Sequence, residues 1–195
     1  MSLLEVAVWS AATGAITLVV LICLVDLALL RTAGTVQAAA YNLTALAVVF
    51  FLSGLPRTLL PQLPEGMVET VQVLIGPLCV LFGDYWVRGW LAARHRDRLM
   101  DRSLLVAGLA APLAGVACML LLPPQQQLGA AAVIVVLNNA LIIWMSVRAW
   151  LLGDALALGI AIGCVLMLPA VAGLYAVALQ VPGVGPGWQA AIALS

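Results

Sequence analysis

The sequence predicts an all-α fold: a polytopic transmembrane helix bundle of six complete spans plus the start of a seventh, with the N-terminus outside. Three observations carry this expectation. Of the 195 residues, 65% are hydrophobic and only 8% are charged, whereas a soluble domain carries roughly 25% charged residues to cover its surface. Apolar stretches long enough to cross a bilayer, about 20 residues for roughly 30 Å of hydrocarbon, recur six times with short breaks between them. The breaks also alternate in charge. Those after the first, third and fifth stretches hold Arg31, Arg94, Arg96, Arg98, Arg102 and Arg148, and those after the second, fourth and sixth hold Arg57 alone. Basic residues near span ends stay on the cytoplasmic side, so the odd-numbered connections read as cytoplasmic.

The first span, about 6–30, has Glu5 in front of it and no basic leader. It is too long for a signal-peptide core and reads as a retained helix. The second covers about 35–56 and gives way to a proline-punctuated segment from Arg57 to Gly66. The third, about 67–92, runs into Arg94-His95-Arg96-Asp97-Arg98, and the fourth, about 103–122, is closed by Pro123-Pro124 and three glutamines. The fifth and sixth cover about 128–150 and 155–180, and a Gly/Pro-rich turn follows at 181–187. Residues 188–195 read as the opening of a seventh span cut short, with the whole of 1–195 as one transmembrane domain.

Ionisable groups within spans cost about 2.5–3.5 kcal/mol at a helix centre and call for a reason. Asp84 and Arg88 stand at i and i+4 on the third span, a spacing that lets them pair along one face. With Tyr85, Trp86 and Trp90 beside them, the plain reading is an interfacial ion pair in an aromatic belt, Arg88 reaching toward the headgroups. The functional reading turns Asp84 into the bundle as part of a switch or ligand site. Asp26 and Arg31 invite the same interfacial pairing on the first span. Asn42, and the adjacent Asn138 and Asn139, suit interhelical hydrogen bonds, although neighbours on a helix point about 100° apart. Depth along the spans places Asp26, Asn42, Asp84, Arg88 and Arg148 in the cytoplasmic half, where together with Asn138 and Asn139 they form a candidate polar core.

In the outer half, Pro77, Pro112 and Pro169 interrupt three spans, and Glu69 with Tyr175 is a candidate lining for a shallow cavity. Gly159 with Gly163, and Gly108 with Ala111 and Gly115, are spaced for close helix approach. The basic segment carrying Arg94, Arg96, Arg98 and Arg102 suits contact with anionic lipid. Cys23, Cys79, Cys118 and Cys164 lie singly in apolar runs, which speaks for packing rather than a metal or dithiol site. The one histidine, His95, lies outside the spans, which argues against a haem cytochrome. With zero net charge and no nucleotide-binding or hydrolase motif, neither a nucleic-acid partner nor a cofactor is expected.

Two stretches resemble a known family. Tyr41-Asn-Leu-Thr-Ala-Leu with Phe51-Leu-Ser-Gly54, and the third span running into Trp90-Leu-Ala-Ala-Arg-His-Arg-Asp-Arg98, are similar to the seven-helix sensor region of bacterial receptors with diverse intracellular signalling modules (7TMR-DISM-like), found with histidine kinase or GGDEF outputs. The resemblance implies sensing of a ligand or of membrane state, coupled to a cytoplasmic output domain. The expected function is therefore a sensor or input module in a bacterial inner membrane, with lipid, a small-molecule ligand and a second copy as candidate partners. A small transporter using the same polar groups is the alternative, and an interfacial enzyme built on Asp84, Arg88 and His95 ranks third.

Overall fold

Capping groups and backbone turns set where the helices begin and end. In the computed structural model of the chain, residues 3–91, 97–179 and 181 are described. The first helix, α1 (Leu3–Leu30), stops at Arg31, which adopts a left-handed φ of 50°. Thr32 then opens α2 (Ala33–Leu52) through a reciprocal capping box with Thr35, which satisfies two otherwise orphan donors. Gly54, at φ 82°, turns the chain into the short α3 (Leu55–Leu59); a residue with a Cβ is strained there. The third span is α4 (Glu65–Trp90). Asp97 accepts from the Leu99 amide to cap α5 (Arg98–Leu121). Pro123 and Pro124 start α6 (Pro124–Leu151), and Asp154, accepting from the Leu156 amide, caps α7 (Ala155–Ala178).

Six of these helices are long and apolar enough to cross a membrane, and their outer faces carry bulky apolar side chains such as Leu18, Ile22, Leu113, Leu137 and Leu166. A water-soluble surface does not tolerate such a continuous apolar coat; the chain is an integral membrane protein. The second span is shorter than the sequence suggests, because Gly54 breaks the helix before residue 56. The fourth starts earlier, because the Asp97 cap brings residues 98–102, Arg98 and Arg102 among them, into the start of the helix. The expected seventh span lies outside the described residues.

The helix at the centre is α4. It packs on α2, α5 and α6, while α6 also holds α5 and α7, α7 touches α2, and α1 leans on α2 and α3. In its most apolar stretch, 44% of α4 is buried against 6% for α1, so α1 is peripheral. On α5 the buried residues are Met100, Leu104, Gly108, Ala111 and Gly115, a stripe at helical spacing. Gly115 lies on Pro77, where an added Cβ would come within 3.1 Å of the ring, and Gly108 lies on Asp84. Residues 77 with 115, 84 with 108 and 88 with 101 thus meet in an antiparallel register. Gly159 and Gly163 face open space instead, so their spacing brings no helix close. Two apolar clusters fill the ends. One joins Val87, Leu91, Met100, Leu104, Met145 and Ala149, and the other joins Trp9, Leu52, Leu55, Val73, Ala131 and Tyr175.

Candidate functional site

The α4–α5–α6 contact buries one carboxyl group inside the bundle. Asp84 is 1% exposed. Its Oδ1 accepts a hydrogen bond of 3.0 Å from the Asn138 amide on α6. Its Oδ2 is buried with no hydrogen-bond partner among the described residues. Gly108 makes room for it: an added Cβ there would come within 3.0 Å of the Asp84 Cβ and 3.2 Å of Oδ2. An intramembrane carboxyl turned to the bundle interior is a functional candidate by its cost alone.

One turn further along α4, Arg88 does not pair with Asp84 as the i, i+4 spacing suggests. Its guanidinium binds Asp101 on the first turn of α5, Nε to Oδ1 and Nη2 to Oδ2, the latter at 3.0 Å. The antiparallel register carries Asp101 to the level of Arg88, and two parallel N–H donors match the two carboxylate oxygens. Asp84, a turn deeper, is turned to Gly108 and Asn138. A second pair joins Arg148 Nε at the end of α6 to Asp97 Oδ2 at 2.6 Å. Arg148 and, after it, the Leu99 amide hold the Asp97 carboxyl below its ordinary value of 3.8. The N-terminal turn of α5 therefore ties down the ends of both α4 and α6.

The remaining candidates are dispersed. Asp26 is exposed on α1 and has no ion-pair partner among the described residues, because Arg31 leaves the helix in its left-handed turn. Asn42 bonds its own helix at Ala38 (2.9 Å) and reaches Cys23 Sγ at 3.6 Å, joining α2 to α1. Asn139, turned away from Asn138, reaches the Cys164 carbonyl on α7 at 3.5 Å. The polar core thus contracts to Asp84 and Asn138, with the two arginine pairs beside it at the helix ends. Glu69 and Tyr175 stand in different surroundings. Glu69 is exposed, 3.9 Å from Arg57, while Tyr175 is buried against Gly76, its hydroxyl without a partner among the described residues. A cleft of about 310 Å³ lies elsewhere, between α2, α4 and α5. The aromatic belt is also partial: Trp86 stacks on Tyr41 at 5.4 Å and only Trp90 is well exposed.

Of the basic segment, Arg98 and Arg102 are exposed on α5; Arg94 and Arg96, with His95, lie outside the described residues. No group of three His, Cys, Asp or Glu side chains among the described residues is placed to hold a metal. Sequence reasoning passed over Asp97 and Asp101, the two acids that hold the arginines. The signal was present, since residues at similar distances along two antiparallel helices from the break between them stand at one level, and Arg88 lies four residues before residue 92 and Asp101 five after residue 96. No protein-family model matches the chain, and no curated protein or solved structure shows significant similarity to it.

Proposed function

We propose that this chain is the membrane-embedded input module of a bacterial signalling protein, lying in the inner membrane with its N-terminus outside. The reading rests on one observation: a buried, half-satisfied Asp84–Asn138 contact on the central helix, one turn from ion pairs that tie α4, α5 and α6 at one end. A stimulus that changes the Asp84 contact shifts α4 against α5 and α6, and the paired ends carry that shift to the arginine-rich side. The six-to-one arginine bias supports placing that side in the cytoplasm. A seventh span leading to an output domain would pass the shift on. Nothing in this scheme asks the chain for bond-making chemistry.

Spin labels at Trp90 on α4 and Leu151 on α6, both exposed, report the motion in reconstituted vesicles. Asp84→Asn is expected to move the distance between them by about 1–2 Å, the scale of helix shifts in switching proteins. An unmoved distance, with solute uptake into the same vesicles that Asp84→Asn abolishes, would replace the sensor by the transporter.

A further inference from the structure

Four arginines stand on α5 or at the ends of the helices beside it among the described residues, and they divide into two kinds. Arg88 and Arg148 are neutralised by Asp101 and Asp97. Arg98 and Arg102 are exposed and have no acidic partner among the described residues. They stand one turn apart on α5, and Val106, Leu109 and Leu113 continue the same face, exposed to 63%, 48% and 70%. Two free cations above an apolar stripe match the two parts of a phospholipid.

The stripe also borders a built recess. Leu109 is one wall of the cleft of about 310 Å³, whose other walls include Val36, Gln37 and Ala40 on α2 and Leu81 and Tyr85 on α4. That volume is at the lower end of the about 300–1,000 Å³ typical of ligand pockets. Its depth is informative. Val36 is three residues into α2 and Leu109 eleven residues into α5, so at 1.5 Å per residue the recess runs from about 5 to about 16 Å below the helix ends. One leaflet of a roughly 30 Å hydrocarbon layer has that thickness. At the mouth, the Gln37 side-chain oxygen lies against Gly89, and its amide donates no hydrogen bond among the described residues.

We propose that the α2–α4–α5 cleft binds a single anionic phospholipid from the adjoining leaflet. One acyl chain lies between Ala40, Leu81 and Leu109, and the phosphate lies at Arg102 and Arg98, with the Gln37 amide as a further donor. This goes beyond general attraction of basic residues to an anionic surface, because a shaped apolar recess fixes one lipid in place.

Native mass spectrometry of the full chain, titrated with phosphatidylglycerol or phosphatidylcholine, tests it. One phosphatidylglycerol is expected to bind, about tenfold tighter than phosphatidylcholine, and Arg102→Gln to remove about that factor, the worth of one charge-assisted hydrogen bond. Ala40→Trp fills the recess while leaving both arginines in place, and is expected to abolish the one-to-one complex. Leu109→Trp, at the exposed rim, serves the same purpose should Ala40→Trp not fold. Phosphatidylglycerol binding unchanged in the folded filling variant would overturn the proposal in favour of diffuse attraction. Equal affinity for the two lipids would overturn it as well.

Discussion

At the scale of single residues, the interior of this bundle is organised by glycines that admit larger neighbours. Gly108 receives Asp84, Gly115 receives Pro77, and Gly76 receives the Tyr175 ring. The last is the tightest, since a Cβ at residue 76 would fall 2.0 Å from the Tyr175 hydroxyl and 3.3 Å from the ring carbon bearing it. That hydroxyl has no hydrogen-bond partner among the described residues, so removing it sacrifices no bond. Tyr175→Phe is expected to leave stability unchanged or raised, and Gly76→Ala to lower it by about 1–3 kcal/mol, the usual cost of overpacking. The double variant is expected to recover most of the loss. Unfolding in detergent micelles measures all three, and a double variant no better than Gly76→Ala would show that the hydroxyl is not the clashing group.

At the scale of elements, the N-terminal turn of α5 is a clip. Asp97 caps the helix and binds Arg148 of α6, and Asp101 binds Arg88 of α4. Asp97 responds to pH with a definite sign. Its carboxyl is held below 3.8 in the folded bundle, so its contribution is fully present above that value and disappears as the pH falls through the lower folded value. The stability difference between the parent chain and Asp97→Asn is therefore expected to be larger at about pH 7 than at about pH 3. Thermal unfolding at the two pH values reads it, and a difference that grows in acid would contradict the pairing. The exposure of this pair keeps its effect below that of the more enclosed Arg88–Asp101 pair.

At the scale of the whole molecule, the proposed orientation puts the α5 clip and the exposed Arg98 and Arg102 on one side and the segment from Arg57 to Glu65 on the other. A membrane-impermeant thiol reagent applied to intact spheroplasts distinguishes the sides. In a background without native cysteines, Gln62→Cys is expected to react and Leu152→Cys, exposed on the α6–α7 connection, to react only after lysis. The reverse pattern would invert the topology and move the proposed input face with it.

The helical membrane architecture was legible in the chain because it is a matter of local composition: each span must satisfy its own backbone and present apolar side chains to lipid. The rough position of every described span and the divergence of Asn138 from Asn139 follow from helical periodicity in the same way; which glycine stripe meets a neighbour does not, since Gly108 and Gly115 do and Gly159 and Gly163 face open space. Pairing does not. Residue spacing along α4 pointed Arg88 at Asp84, yet Asp101 on another helix holds it, and Asp84 turns to Asn138, 54 residues away. Asp26 and Glu69 had the composition of site residues but lie on exposed faces. A polar group on a helix finds its partner through interhelical register and rotation, which depend on the packing of all the spans together. The sequence by itself therefore determined that the chain crosses a membrane as helices. Only the tertiary structure decided which of its few charges meet inside the bundle, which neutralise one another at its end, and which stay exposed.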